Sequence, residues 1–263
     1  MPLPLSMPRW VEQLQSEGRY TFTRLEAEAR TGRSFVAVQS ALRRLKQQGR
    51  IASPKRGFYV IVPPEYRAAG SPPASWFIDE LMGHLDQPYY VGLLTAAAFY
   101  GAAHQQPMVF QVVTARPTRA ISAGRVSIEF FMSSKVEQMP VQRAQTDTGT
   151  MRVATAEVTA FDLVRYSAGA GHLSNAATVL TELAERVDAE ALVALAPLMR
   201  LPDVQRLGYL LESVGESGLA EPLASWLRDH CPRTVLLQPG GPDSGVRSSR
   251  WQVKANEDLE PDL

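Results

Sequence analysis

A single cysteine, Cys231, stands in a chain of 263 residues, so no intrachain disulfide can form and a reducing compartment is the expected setting. Histidine is scarce as well. The four histidines, at 84, 104, 172 and 230, form no pair at ligand spacing on one helix face, which argues against zinc. No apolar run approaches the ~20 residues of a membrane span. The opening stretch MPLPLSMPRW has no charged segment leading into an apolar one, so no secretory signal is expected and the predicted location is the cytoplasm. Gly-x-x-x-x-Gly-Lys-Ser/Thr, Gly-x-Ser-x-Gly and His-Glu-x-x-His are all missing, which removes the commonest phosphate-loop, hydrolase and metalloprotease signatures.

Net charge is zero too, with 27 Lys+Arg against 27 Asp+Glu, but the balance is uneven along the chain. Residues 1 to 70 hold 12 basic and 5 acidic side chains, a balance of +7, which leaves 15 and 22, or −7, for the remainder. A small basic module beside a larger acidic body points to nucleic-acid contacts from the first part alone.

Within the basic part, residues 31 to 62 read as a recognition helix followed by a β-hairpin with a cationic tip. Ser34 is placed to cap the helix and Gly49 to stop it. At ~100° per residue, Phe35, Val38, Ala41, Leu42 and Leu45 fall on one side. Val36, Ser40, Arg43 and Gln47 fall on the other, flanked by Gln39 and Arg44. Arg50 to Ala52 is expected as a short strand, Ser53 to Gly57 as the turn, and Phe58 to Val62 as the return strand. Upstream, Arg9 to Gln15 forms a first helix. Thr23 with Glu26 makes a capping box for a second, Arg24 to Arg30. Three helices, a tight turn at 31 to 33 and a wing amount to a winged helix-turn-helix. Its expected DNA-contacting residues are Arg33, Ser34, Val36, Gln39, Ser40, Arg43, Arg44, Gln47, Lys55 and Arg56. A helical hairpin and ribbon that serve only packing is the competing reading.

Residues 63 to 75, PPEYRAAGSPPAS, carry four prolines and a glycine and predict a semi-rigid linker, with the boundary near Gly70. The second domain, 76 to 263, is expected to open with a helix at 76 to 84, a brief strand at 89 to 91 and an Ala-rich helix at 93 to 103. Strands follow at 108 to 114, 125 to 132, 141 to 147 and 151 to 154, the last two joined at Thr148-Gly149. From about 154 the pattern is helical, over 155–166, 175–187, 189–198, 204–214 and 219–229. A last extended piece at 234 to 238 precedes a stretch where Trp251 to Val253 ties the tail down. The fold class is therefore α+β: an N-terminal winged helix-turn-helix, then a larger mixed α/β domain ending in a helical bundle.

Chemistry is sparse. Glu129, Glu157 and Asp162 invite a metal-dependent nuclease reading. Yet Glu157 lies where a helix N-terminus stabilises a carboxylate, and Asp162 sits among apolar neighbours. The glycines of SAGAGH, 167 to 172, follow a helix rather than a strand, which favours C-capping over a phosphate cradle. His104-Gln105-Gln106 and Tyr89-Tyr90 border apolar runs and are weak candidates for a cleft. No catalytic residue, metal site or cofactor is expected.

Taken together, RGFYVIVPPEYR (56–67), PYYVGLLTAAAFYGAAHQQP (88–107), MVFQVV (108–113), ATAEVTAFDLVRY (154–166) and QRLGYLLE (205–212) resemble the AbiEi-type antitoxins of type IV toxin–antitoxin, or abortive infection, systems. The resemblance runs from about residue 7 to about 237. Where relatives often carry Ser/Thr-Pro-Glu, this chain has Thr155-Ala156-Glu157, a change that a first-turn position tolerates. The resemblance implies a DNA-binding repressor that binds inverted repeats in its own promoter. It also implies a C-terminal domain that counters a nucleotidyltransferase-like toxin without a stable complex. Two other classes compete with it: a winged-helix enzyme with a nuclease or nucleotide-processing second domain, and a regulator whose acidic domain senses a small ligand.

Overall fold

The computed structural model describes residues 6–102 and 107–259. The architecture is mixed α+β with three sheets. Contacts group the chain into two compact units that interleave in sequence. The first comprises residues up to Tyr89, Met108–Ser134 and Arg143–Arg152; the second comprises Tyr90–Pro107, Lys135–Gln142 and the chain from Val153.

The first unit begins with α1 (Met7–Ser16), β1 (Thr21–Thr23), α2 (Arg24–Thr31), α3 (Phe35–Gln47), β2 (Ile51–Lys55) and β3 (Phe58–Ile61). Thr23 caps α2 as expected, its hydroxyl accepting from the Glu26 amide at 3.2 Å, and left-handed Gly32 ends the helix. Ser34 holds the N-cap position of α3 with an extended backbone, but its hydroxyl makes no capping bond. The three strands form an antiparallel sheet in the order β1-β3-β2. Beneath it, Trp10, Leu14, Phe22, Val38, Leu42, Leu45, Ile51 and Ile61 make one core, with the Trp10 and Phe22 rings edge to face at 5.0 Å.

Three expectations are corrected here. The wing turn is shorter: β2 runs on through Pro54 to Lys55, and only Arg56 and Gly57 turn the chain. A register shift between Ala52 and Lys55 lets Pro54 lie in a strand without a ladder N–H, the usual use of a bulge. Phe35 does not join the core. It sits in the first turn of α3, 47% exposed, with the Arg24 guanidinium 4.7 Å above its ring. Finally, the proline-rich stretch expected as a semi-rigid linker is folded against its neighbours. It folds into two 3-10 turns, Pro64–Tyr66 and Ala74–Trp76, and the Arg125 amide donates to the Ala69 carbonyl at 2.7 Å. A Cβ on Gly124 would lie 2.1 Å from that carbonyl, so the backbones touch. Ala52, Val62 and Tyr66 pack with Ala123 in a second small core. Trp76 takes the edges of Tyr20 and Tyr66 and donates its indole N–H to Asp147 at 2.7 Å.

Next in the chain come α4 (Ile78–His84), β4 (Tyr89–Val91), α5 (Leu93–Phe99), β5 (Phe110–Thr114), β6 (Ile121–Ala123), β7 (Val126–Met132), β8 (Val141–Thr146) and β9 (Gly149–Ala154). The sheet they build has the order β6-β7-β5-β4-β9-β8, with β5 and β7 parallel and β6 and β7 antiparallel. The short β6 was not expected, and the strand expected from Met108 starts at Phe110, because Met108 is 92% exposed.

The second unit is mainly helical after β9, as expected: α6 (Ala156–Arg165), α7 (His172–Leu183), α8 (Ala189–Leu195), α9 (Leu201–Ser213) and α10 (Ser217–Arg228). Thr155 caps α6. The glycine expectation is corrected in detail, since Tyr166 is the C-cap of α6 and Gly171, at φ +74, is the N-cap of α7. A closing sheet of β10 (Val235–Leu236), β11 (Val246–Ser248) and β12 (Val253–Ala255) follows. Trp251 does tie this region down. It is fully buried, and its ring lies so close to α9 that a Cβ on Gly208 would come within 1.9 Å of it. Gln205 Nε2 reaches the carbonyls of Arg233, Trp251 and Gln252 at 2.9–3.0 Å.

Polar groups are also buried here. Burial pushes the Asp162 carboxyl up to about 8, against the opposing pull of the Tyr90 hydroxyl and Arg165. Tyr90 donates to Asp162 Oδ1 at 3.2 Å, while Oδ2 has no hydrogen-bond partner. Asp203 is held in the fork of Arg200 at 2.7 and 2.9 Å.

Two stability predictions result. Gly208→Ala forces overpacking against Trp251 and should cost ~1–3 kcal/mol, whereas Gly218→Ala in α10, where a Cβ meets nothing within 4 Å, should be neutral or stabilising by up to ~1 kcal/mol. Equal denaturation midpoints for the two variants would refute the packing account. Because Asp162 is neutral in the fold and ionises at ~4 when unfolded, its contribution is full below that value and is lost as pH rises through about 8. Asp162→Asn should therefore flatten the fall of unfolding free energy between those pH values; an unchanged slope in urea titrations argues against it.

Candidate nucleic-acid interface

The α3 helix divides its residues by angle. Val38, Ala41, Leu42 and Leu45 are buried. Val36, Ser40, Arg43 and Gln47, at i, i+4, i+7 and i+11, form one stripe on the opposite side, and all four are exposed. Arg33, Ser34, Gln39 and Arg44 are exposed as well. In the wing, Arg56 is exposed and Lys55 half-buried. The structure thus brings the sequence-expected residues onto α3, the turn before it and the hairpin tip beside it.

Between α3 and the hairpin run two hollows. One, of about 430 Å³, is lined by Gln39, Ser40, Leu42, Arg43, Lys46, Ser53 and Tyr59. The other, of about 410 Å³, is bordered by Arg24, Leu25, Phe35, Gln39, Arg56, Tyr59 and His84 among others. Gln39 and Tyr59 belong to both, so they form a common floor with cations on either rim. Burial raises the Tyr59 phenol pKa and nearby Arg24 lowers it, which keeps the floor neutral and hydrogen-bonding.

The wing tip is held from outside the hairpin. His84, the last residue of α4, brings Nε2 to 3.2 Å from the Arg56 carbonyl and packs its ring 5.4 Å from that of Phe58. Ser53 Oγ lies within hydrogen-bond distance of the Lys55 and Phe58 carbonyls. Tyr59, Lys46 and His84 escaped the sequence reading. Lys46 lies on the helix flank that turns toward the hairpin, but nothing in a linear pattern says where the hairpin lies.

Cations here differ in availability. Arg19, Arg24 and Arg50 face carboxylates, at 2.8 Å from Glu26, 3.7 Å from Glu28 and 2.9 Å from Glu12. Arg33, Arg43, Arg44, Lys46, Lys55 and Arg56 make no ion pair among the described residues. Unpaired guanidinium and ammonium groups beside Gln and Ser donors suit phosphate oxygens and base edges.

Other candidates hold nothing comparable. Among the described residues no three His, Cys, Asp or Glu side chains gather as a metal site. Glu157 accepts from the Asp188 amide at 3.0 Å, and Glu129 is exposed on β7. Tyr89 and Tyr90 are buried rather than cleft-lining, with Tyr89 donating to Asp79 at 2.8 Å. His104, Gln105 and Gln106 lie outside the described residues. No described helix is long and apolar enough to cross a membrane.

Comparison with known proteins adds three findings. Residues 90–213 match the family described as AbiEi antitoxin C-terminal domain. No curated protein matches the chain. The crystal structure of the RV2827C protein from Mycobacterium tuberculosis is similar in fold, with a TM-score of 0.67 at 18% identity, covering 94% of this chain and 89% of that one.

The opposed faces of α3 can be separated by neighbouring substitutions. Leu42, 2% exposed, should lose ~2–5 kcal/mol as Leu42→Ala, while Arg43→Ala stays within ~0.5 kcal/mol. Comparable losses in thermal and urea unfolding would mean that Arg43 is structural.

Proposed function

We propose that this chain, an AbiEi-type antitoxin by the domain it carries, is also a repressor of its own operon, binding inverted repeats in duplex DNA through a winged helix-turn-helix. The observation that carries the reading is the outward stripe of α3 with its unpaired cations, set beside a hairpin whose tip carries Lys55 and Arg56. The α3 helix enters the major groove, where Arg43 and Gln39 meet base edges, and the wing reaches a phosphate or the minor groove. The antitoxin half counters a nucleotidyltransferase-like toxin without a stable complex, in the manner of a type IV system. Arg33, Ser34, Arg44 and Gln47 supply positioning contacts to the backbone.

A gel shift with the DNA directly upstream of the chain's own reading frame tests this. Wild type should bind and be displaced by salt. Arg43→Ala should weaken binding by ~1–3 kcal/mol, and removing both Lys55 and Arg56 should flatten the slope of log K against log salt by up to ~2. Failure of the wild-type protein to prefer this DNA over unrelated duplex refutes the repressor reading. Metal-dependent cleavage of the same DNA would instead favour a nuclease.

A further inference from the structure

Most of the α3 outer stripe is polar, and one member is not. Val36 is 68% exposed and lies in line with Ser40, Arg43 and Gln47 on the side opposite the core. It packs into neither core of the first unit. Valine is a poor choice for solvated helix, since its branched Cβ loses rotamer freedom there. Nor does it stand in isolation. Of the seven large apolar side chains that are exposed among the described residues, Leu25, Phe35 and Val36 fall within twelve positions, on α2 and the start of α3. The cations Arg24 and Arg33 neighbour them in sequence, and Arg24 stacks on Phe35. Exposed apolar side chains with cations nearby in the chain suit a surface that is negatively charged overall yet offers exposed methyl groups. Duplex DNA does so in the major groove, where thymine presents its C5-methyl.

We infer that Val36 reads thymine C5-methyl groups in the major groove and so determines sequence preference, beside the hydrogen-bonding readout by Arg43 and Gln39. This rests on the DNA-binding reading above and adds to it a residue and the chemical group it recognises. Contact between Val36 and a methyl removes both from water without a directional bond, so it contributes discrimination of roughly fourfold per methyl. A second copy of the chain is the rival occupant, because an exposed apolar patch also suits a self-interface. The surrounding like charge opposes that pairing.

The test uses the full chain and the duplex directly upstream of its own reading frame, made once with thymine and once with deoxyuridine, which pairs alike but lacks the methyl. Wild type should bind the thymine duplex about fourfold more tightly for each methyl contacted. Val36→Ser, a change on an exposed helix surface, should lose the thymine advantage and bind the two duplexes with equal affinity. Equal affinity of wild type for the two duplexes overturns the inference while leaving DNA binding intact. A thymine advantage that persists in Val36→Ser also overturns it, by assigning the methyl contact elsewhere. Sedimentation showing a wild-type dimer that Val36→Ser converts to monomer would assign the patch to self-association instead. Absence of binding to both duplexes fails the DNA-binding reading itself, and the inference falls with it.

Discussion

The base of the β2–β3 hairpin is buried on both of its faces, and the first unit depends on this. Neighbouring residues of a strand point to opposite sides. Ile51 and Ile61 therefore enter the core under α1 and α3, while Ala52 and Val62 meet Ala123 of β6 on the other side. Burying Ile51, Ile61 and Val62 is worth ~1.5–3 kcal/mol each, so the hairpin cannot swing as a free flap. The Arg56 carbonyl at the tip is fixed again by His84. A cationic tip held at two places loses less freedom on meeting a ligand than a mobile one does. The same arrangement explains why the proline-rich stretch is folded. Where Arg125 and Gly124 touch Ala69 and Gly70, there is no room for a slack connection.

In the second unit the governing constraint is different, because charge lies inside an apolar helical region. Asp203 is 1% exposed and is compensated by Arg200 and Arg206. Asp162 is instead neutralised by a proton. Breaking a buried pair is costly because the remaining charge is left uncompensated, and here both arginines stand at the start of α9 with the aspartate they compensate. Trp251 against Gly208 acts by shape alone: a large ring occupies the space that a missing Cβ leaves. The second unit is thus organised by buried polar groups and by the close fit of Trp251 against Gly208.

Much was determined by the sequence alone. The Thr23 cap, the turn at 31 to 33, the glycine stop at 49, the opposed faces of α3 and the helical region after residue 154 follow from local periodicity and backbone chemistry. Charge asymmetry pointed to the basic module, and the resemblance to AbiEi antitoxins was legible in short runs of residues, with residues 90–213 matching the C-terminal domain of that family. The unbroken apolar run Phe58 to Val62 already carried a further message, since a strand buried on both faces reads as continuous rather than alternating. Tertiary structure alone decided what covers that second face, which cations are taken by carboxylates, and that Phe35 stays outside while Val36 is left without a protein neighbour in either core. Several of these depend on residues brought together from 26 or more positions apart in the chain, as with Arg50 and Glu12 or His84 and Phe58. Periodicity constrains the turn a residue belongs to; only the packing of distant segments determines what that residue faces.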